Sequence, residues 1–204
     1  MTPSKITDID NQPLSPEGER MLEYLRSRAE SMGAAGIRER VRAAARELES
    51  AVAVVSEAQA RLRPIAGKWT IAEVVDHIAQ TQIRAAEELR HLLAGRRPPG
   101  PPVYEALRSS APQWAPWREL VEGLKSANEE LIALLASAPE SAPAPDAAAV
   151  RTVVVVNRAL ADGGTAQQVF ITDLDWREYA LLQRLHLLDH RTQIKKLHAA
   201  LGGA

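Results

Sequence analysis

Between Ile37 and Ala200 apolar residues return every three or four positions along four long stretches, and segments rich in proline or turn residues separate them. Such spacing gives each stretch one apolar face, and an amphipathic helix must bury that face against a neighbour to be stable in water. Four such helices imply an all-α four-helix bundle. The first runs from Ile37 to about Leu62 on Val41, Ala45, Leu48, Val52 and Val55, and Pro64 closes it. The second starts at Thr70-Ile71-Ala72-Glu73, a capping box, and extends to about Leu93. The third covers roughly Trp117 to Ser137, with Leu120, Leu124, Leu131 and Leu135 as its inner stripe. The fourth runs from about Asp175 to Ala200 and stops at Gly202-Gly203.

Additions decorate this frame. Ser15 as N-cap and Pro16 at the first helical position predict an extra N-terminal helix through Met21, Leu22 and Leu25 to about Ser31. Gly95 to Pro102 holds four of the thirteen prolines and reads as a loop, and Ala138 to Ala149 reads as a long linker. Val153 to Val156 and Gln167 to Thr172 are β-prone, and Asp162-Gly163-Gly164 supplies turn chemistry between them. A small β-hairpin is therefore expected between the third and fourth bundle helices. The whole chain, 1–204, is expected to be one domain, with 1–15 a loosely ordered arm.

Composition narrows the function classes. Twenty-five basic and twenty-six acidic residues give a net charge of −1, which creates no field to attract nucleic acid. The chain has no cysteine, so disulfides and Cys-type zinc sites are impossible, and any thiol chemistry must use a borrowed sulfur. No apolar run approaches the roughly 18 residues of a membrane span, and the first fifteen residues lack an apolar signal core. A cytoplasmic protein without membrane contact is the expectation.

The histidines carry the chemical signal. His186 and His190 are four residues apart and share one face of the last helix, in an inward stripe with Tyr179, Leu182, Gln193 and Leu197. Their ring nitrogens need partners, because an unsatisfied buried polar group costs about 1–3 kcal/mol. A shared metal would serve both, and so would hydrogen bonds to Gln193 or Tyr179, or a wet groove. His77 sits at the border of the second helix's apolar face. His91 lies about 21 Å further along that helix at 1.5 Å per residue, and His198 is placed on the outer face with Arg184, Arg191 and Lys195. His77, His186 and His190 remain as a set that can share an ion, and three imidazoles leave a tetrahedral Zn²⁺ one open position. Ni²⁺ or Fe²⁺ also suits nitrogen ligands. Asp189 reads first as a helix-surface charge, with an acceptor supporting the pair as the alternative, Glu73 as spent on its cap, and the four tryptophans as loop anchors. No phosphate-binding glycine loop, serine nucleophile elbow or inward carboxylate pair is found, so no catalytic residue is assigned beyond the ligands.

Gly67-Lys68-Trp69-Thr70-Ile71-Ala72-Glu73-Val74-Val75-Asp76-His77, followed by His186-x-x-x-His190, resembles the DinB-like superfamily over roughly Leu48 to Leu201. The resemblance implies a four-helix bundle, often a homodimer, whose three histidines bind Zn²⁺ or Ni²⁺. It also implies a choice of activities, since some members transfer low-molecular-weight thiols such as mycothiol or bacillithiol to electrophiles and others isomerise thiol adducts. The expected function is therefore metal-dependent activation of a small thiol for attack on a small-molecule electrophile. The alternatives are a metal-dependent hydrolase using the same site and a non-catalytic stress-response ligand-binding module. Met21, Leu22 and Leu25 of the N-terminal helix need a covering surface, which a second copy or the chain's own bundle could provide.

Overall fold

The computed structural model describes residues 14–144, 146–159 and 165–202. The arm before Leu14 and the turn Asp162-Gly163-Gly164 lie outside the described residues. Six helices and one hairpin follow in order: α1 (Pro16–Ser31), α2 (Ala34–Ala53), α3 (Glu57–Arg61), α4 (Ile71–Leu93), α5 (Trp117–Ala136), β1 (Val150–Ala159), β2 (Thr165–Leu174) and α6 (Trp176–Ala200). The expected caps are present. Ser15 accepts from the Gly18 amide and Thr70 and Glu73 form their capping box, while Asp175, expected only as the start of its helix, forms a further capping box with Glu178.

One expected helix is two. The run from Ile37 to Leu62 breaks after Ala53, and Ser56 caps the new helix α3 in a capping box with Gln59. The Ser-x-x-Gln pattern outweighs continued apolar periodicity because it satisfies two backbone donors locally.

The long helices α2, α4, α5 and α6 form the bundle, and their order in space follows from the contacts at their ends. The Arg90–Glu130 ion pair joins the ends of α4 and α5, while Arg61 and Glu57 of α3 hold the approach to α5 beside the start of α4. These two helices therefore run parallel. Likewise Arg177 bonds to Ala29 and Met32 just before α2, and Arg191 pairs with Glu47 near its end, so α2 and α6 are parallel too. Parallel neighbours cannot be joined by a short turn. Hence α4 and α5 need the long crossover 94–116, and a second long connection, 137–175, carries the hairpin on the way to α6, which runs antiparallel to α4. Between the helices Ile37, Leu48, Ile78, Leu89, Leu124 and Leu181 are fully buried, each worth about 1.5–3 kcal/mol of apolar transfer.

The hairpin pairs Val150 with Leu174 through Ala159 with Thr165. Its buried face, Val154, Val156, Phe170 and Leu174 among others, packs on α1, where a Cβ at Gly18 would stand 3.3 Å from the Phe170 ring. Leu22 and Leu25 are buried here as well. The apolar face of α1 is thus covered by the chain's own bundle and hairpin, which removes the need for a second copy to cover it.

Candidate metal centre

Helix α4 carries His77 nearly two turns from its capped start, and the antiparallel α6 brings His186 and His190 against it. His77 Nε2 lies 3.2 Å from His186 Nε2, and His190 Nε2 lies 3.0 Å from the same atom. The ring centroids stand 4.4–5.2 Å apart with steep interplanar angles, so the three rings converge edge-on. Among the described residues this is the group of three or more histidines and acids close enough to share an ion.

Protons decide what the cluster can hold. His77 Nδ1 donates to the Leu107 carbonyl at 2.8 Å, and His190 Nδ1 donates to Gln193 Oε1 at 2.7 Å. Each neutral ring then presents a bare lone pair at Nε2. Both lone pairs face His186 Nε2, whose single N–H could satisfy one of them, while its Nδ1 is buried without a partner. A divalent cation satisfies all three at once. Bonds of about 2.0–2.1 Å in a tetrahedral site place imidazole nitrogens roughly 3.3 Å apart, close to the separations here. The residues fit such an ion. Leu107 and Gln193 act as the acceptors that fix ring orientation.

Burial keeps all three rings neutral. It lowers His186 well below the usual imidazole value, with His190 and His77 adding to the effect. His190 is lowered to about 4, chiefly by burial. In His77 burial also dominates, the Arg108 charge adds to it, and the Leu107 carbonyl and Asp76 oppose it. An unfolded histidine titrates near 6.5. Between that pH and about 4 the unfolded chain therefore binds more protons than the folded one, and stability rises with pH. Acidifying metal-free protein from pH 7 to 5 is expected to lower the urea midpoint, each histidine contributing up to about 1.4 kcal/mol per pH unit. A midpoint flat across that range would contradict the buried neutral rings.

Other expectations divide. Gln193 does bond to His190, whereas Tyr179 donates to Glu88, which also accepts from Arg84 Nε at 2.6 Å. Tyr179 thus belongs to a separate polar contact between α4 and α6. Asp189 is exposed and bonds to none of the three rings. His198 is not on an outer face. It is buried, because α6 is wedged among α1, α2 and α4 and has more than one covered stripe. His77 is itself buried rather than marginal.

Sequence reasoning missed the crossover 94–116 as part of the site. Its Leu107 holds His77, and Ser109 donates to both oxygens of the buried Asp76, from its amide at 2.7 Å and its hydroxyl at 2.6 Å. Trp69 does more than anchor a loop, since its ring lies 5.0 Å from that of His77. The hairpin, by contrast, supplies no hydrogen-bond or ring partner to the three histidines among the described residues.

The family model for the DinB superfamily matches residues 40–161, a span that contains Trp69 and His77 and ends before α6. Among solved structures, one from Bacillus subtilis aligns over 96% of this chain and 95% of its own, with a TM-score of 0.53 and 16% identity. That protein, YfiT, is described as a probable metal-dependent hydrolase with an unusual four-helix bundle topology. No curated protein matches the chain.

Proposed function

The chain belongs to the DinB superfamily, and from that premise we propose that it is a divalent-metal-dependent enzyme that activates a low-molecular-weight thiol for transfer to a small electrophile. The observation that carries this reading is the convergence of the His77, His186 and His190 Nε2 atoms with their outer nitrogens already engaged or buried. When bound, Zn²⁺, Ni²⁺ or Fe²⁺ would supply the positive charge that lowers the pKa of a nucleophile at the remaining coordination position. The chain's own part is to hold three neutral donors, to exclude protons from them by burial, and to keep the rings in place through Leu107 and Gln193.

A thiol suits the site better than water. Asp76, the carboxylate adjacent to His77 in sequence, is held by two hydrogen bonds from Ser109, and among the described residues no carboxylate is hydrogen-bonded to the three rings as a base for water would be. A thiol needs only charge stabilisation to become a nucleophile near neutral pH. Hydrolysis by the same three histidines is the second reading, favoured by the description of YfiT. Titrating zinc-loaded protein with 2-mercaptoethanol while following proton release separates them. Stoichiometric release at pH 7, absent in His186→Ala, is the expected result, and a protein that takes up zinc but never engages thiol would leave hydrolysis as the reading.

A homodimer in the cytoplasm acting on small molecules completes the proposal. No helix among the described residues is long and apolar enough to cross a membrane. Sedimentation giving a monomer mass at tens of micromolar would remove the dimer.

A further inference from the structure

Arg108 is an unassigned cation at the edge of the histidine cluster. Its guanidinium lies over the Trp69 ring at 5.0 Å, and the same ring is 5.0 Å from His77. Among the described residues no carboxylate pairs with it. An exposed arginine elsewhere would be unremarkable, but this one is not placed by chance of loop drift. The residues on either side of it are both fastened to α4, Leu107 to His77 and Ser109 to Asp76, the residue before the ligand. The backbone of Arg108 is therefore registered against the candidate ligand His77.

The charge balance indicates what this cation faces. Three neutral imidazoles leave the charge of a divalent ion uncompensated, and the single negative charge of the neighbouring Asp76, buried and held by the neutral donors of Ser109, offsets only part of that ion and Arg108 together. A guanidinium on an aromatic face keeps its planar fork of N–H donors available at the edge, and that fork matches a carboxylate. We propose that Arg108 is a specificity residue that binds a carboxylate of the small-molecule substrate while the substrate's reacting group occupies the histidine site. The proposal rests on the reading of the histidines as a metal site and adds the substrate class to it, a small carboxylic acid.

The test uses the full chain and two probes of nearly equal shape, 3-mercaptopropionate and its neutral amide, 3-mercaptopropionamide, titrated calorimetrically into zinc-loaded protein. The wild type is expected to prefer the carboxylate by about tenfold or more, the range of a charge-assisted hydrogen bond. Arg108→Gln is expected to abolish that preference while binding the amide as before, and Arg108→Lys to restore part of it. Zinc affinity, read separately by chelator competition with the metal alone, is expected to be unchanged in both variants. A wild type without the preference, a variant that keeps it, or an equal loss for both probes would overturn the proposal, the last because it marks Arg108 as packing for Trp69. Failure of the metal reading looks different: neither wild type nor variant would take up zinc. The same pair is then titrated into metal-free protein, where the carboxylate preference must still depend on Arg108.

Discussion

His190→Ala is expected to weaken metal affinity by at least about tenfold while leaving the helical content nearly unchanged. His186 and His190 project from one rigid helix, with rings 4.4 Å apart between centroids, so their donors are preorganised. Removing one leaves two imidazoles, and a two-ligand site competes poorly with water and chelators. The bundle survives because its stability rests on buried side chains of four helices, Leu48, Leu89, Leu124 and Leu181 among them. His198 is a poor control despite sharing α6, since it is buried and its loss would mix packing with ligation. His91, far along α4 from His77, is the matched control, and His91→Ala is expected to leave affinity as it was. Competition with a chelator, read beside circular dichroism, decides the matter. Wild-type affinity in His190→Ala would show that the ring is not a ligand.

Arg177→Met is expected to cost about 3 kcal/mol of stability, or roughly 6–12 °C in Tm for a chain of this size. Arg177 is buried at the second position of α6, where a positive charge opposes the helix dipole. It is retained there by what its guanidinium reaches. It donates to the carbonyls of Ala29 and Met32 at the end of α1 and to that of Glu140 in the second crossover, and it stacks on Trp176. Glu140 in turn accepts from the Ala35 amide and caps α2, whose N-cap Gly33 has no side chain to do so. Methionine fills the volume but leaves three carbonyls without their donor. Limited proteolysis should then cut near the α1–α2 junction. An unchanged Tm with an intact junction would mean that these carbonyls find other donors and that the arginine is not the staple.

The helices were legible because their signals are local. Capping at Ser15 and Thr70 and the three-to-four spacing of leucines act within a few residues, and their consequence is the same in any context. The break at Val54–Ser56 was equally local and was overlooked, since apolar spacing continues through it. The hairpin was expected in the right place and is longer than its β-prone cores, because each added pair extends the ladder from Val150–Leu174 to Ala159–Thr165. Which histidines face inward was read correctly for the pair and wrongly for His198. A helical wheel assumes one covered face, and α6 has neighbours on several.

What the sequence determined by itself is therefore the set of helices, their caps and the spacing that puts His186 and His190 on one face. Only the tertiary structure decided that His77 meets them, because the antiparallel register of α4 against α6 is fixed by packing over more than a hundred residues of separation. It alone decided that α1 is covered from within, that Glu140 caps α2, and that the crossover 94–116 lays Leu107, Arg108 and Ser109 on the histidine site. Backbone carbonyls and long-range caps carry no residue-type signature. Their roles arise from where the chain passes, and parallel packing of α4 with α5 makes that crossover travel the length of the bundle past His77.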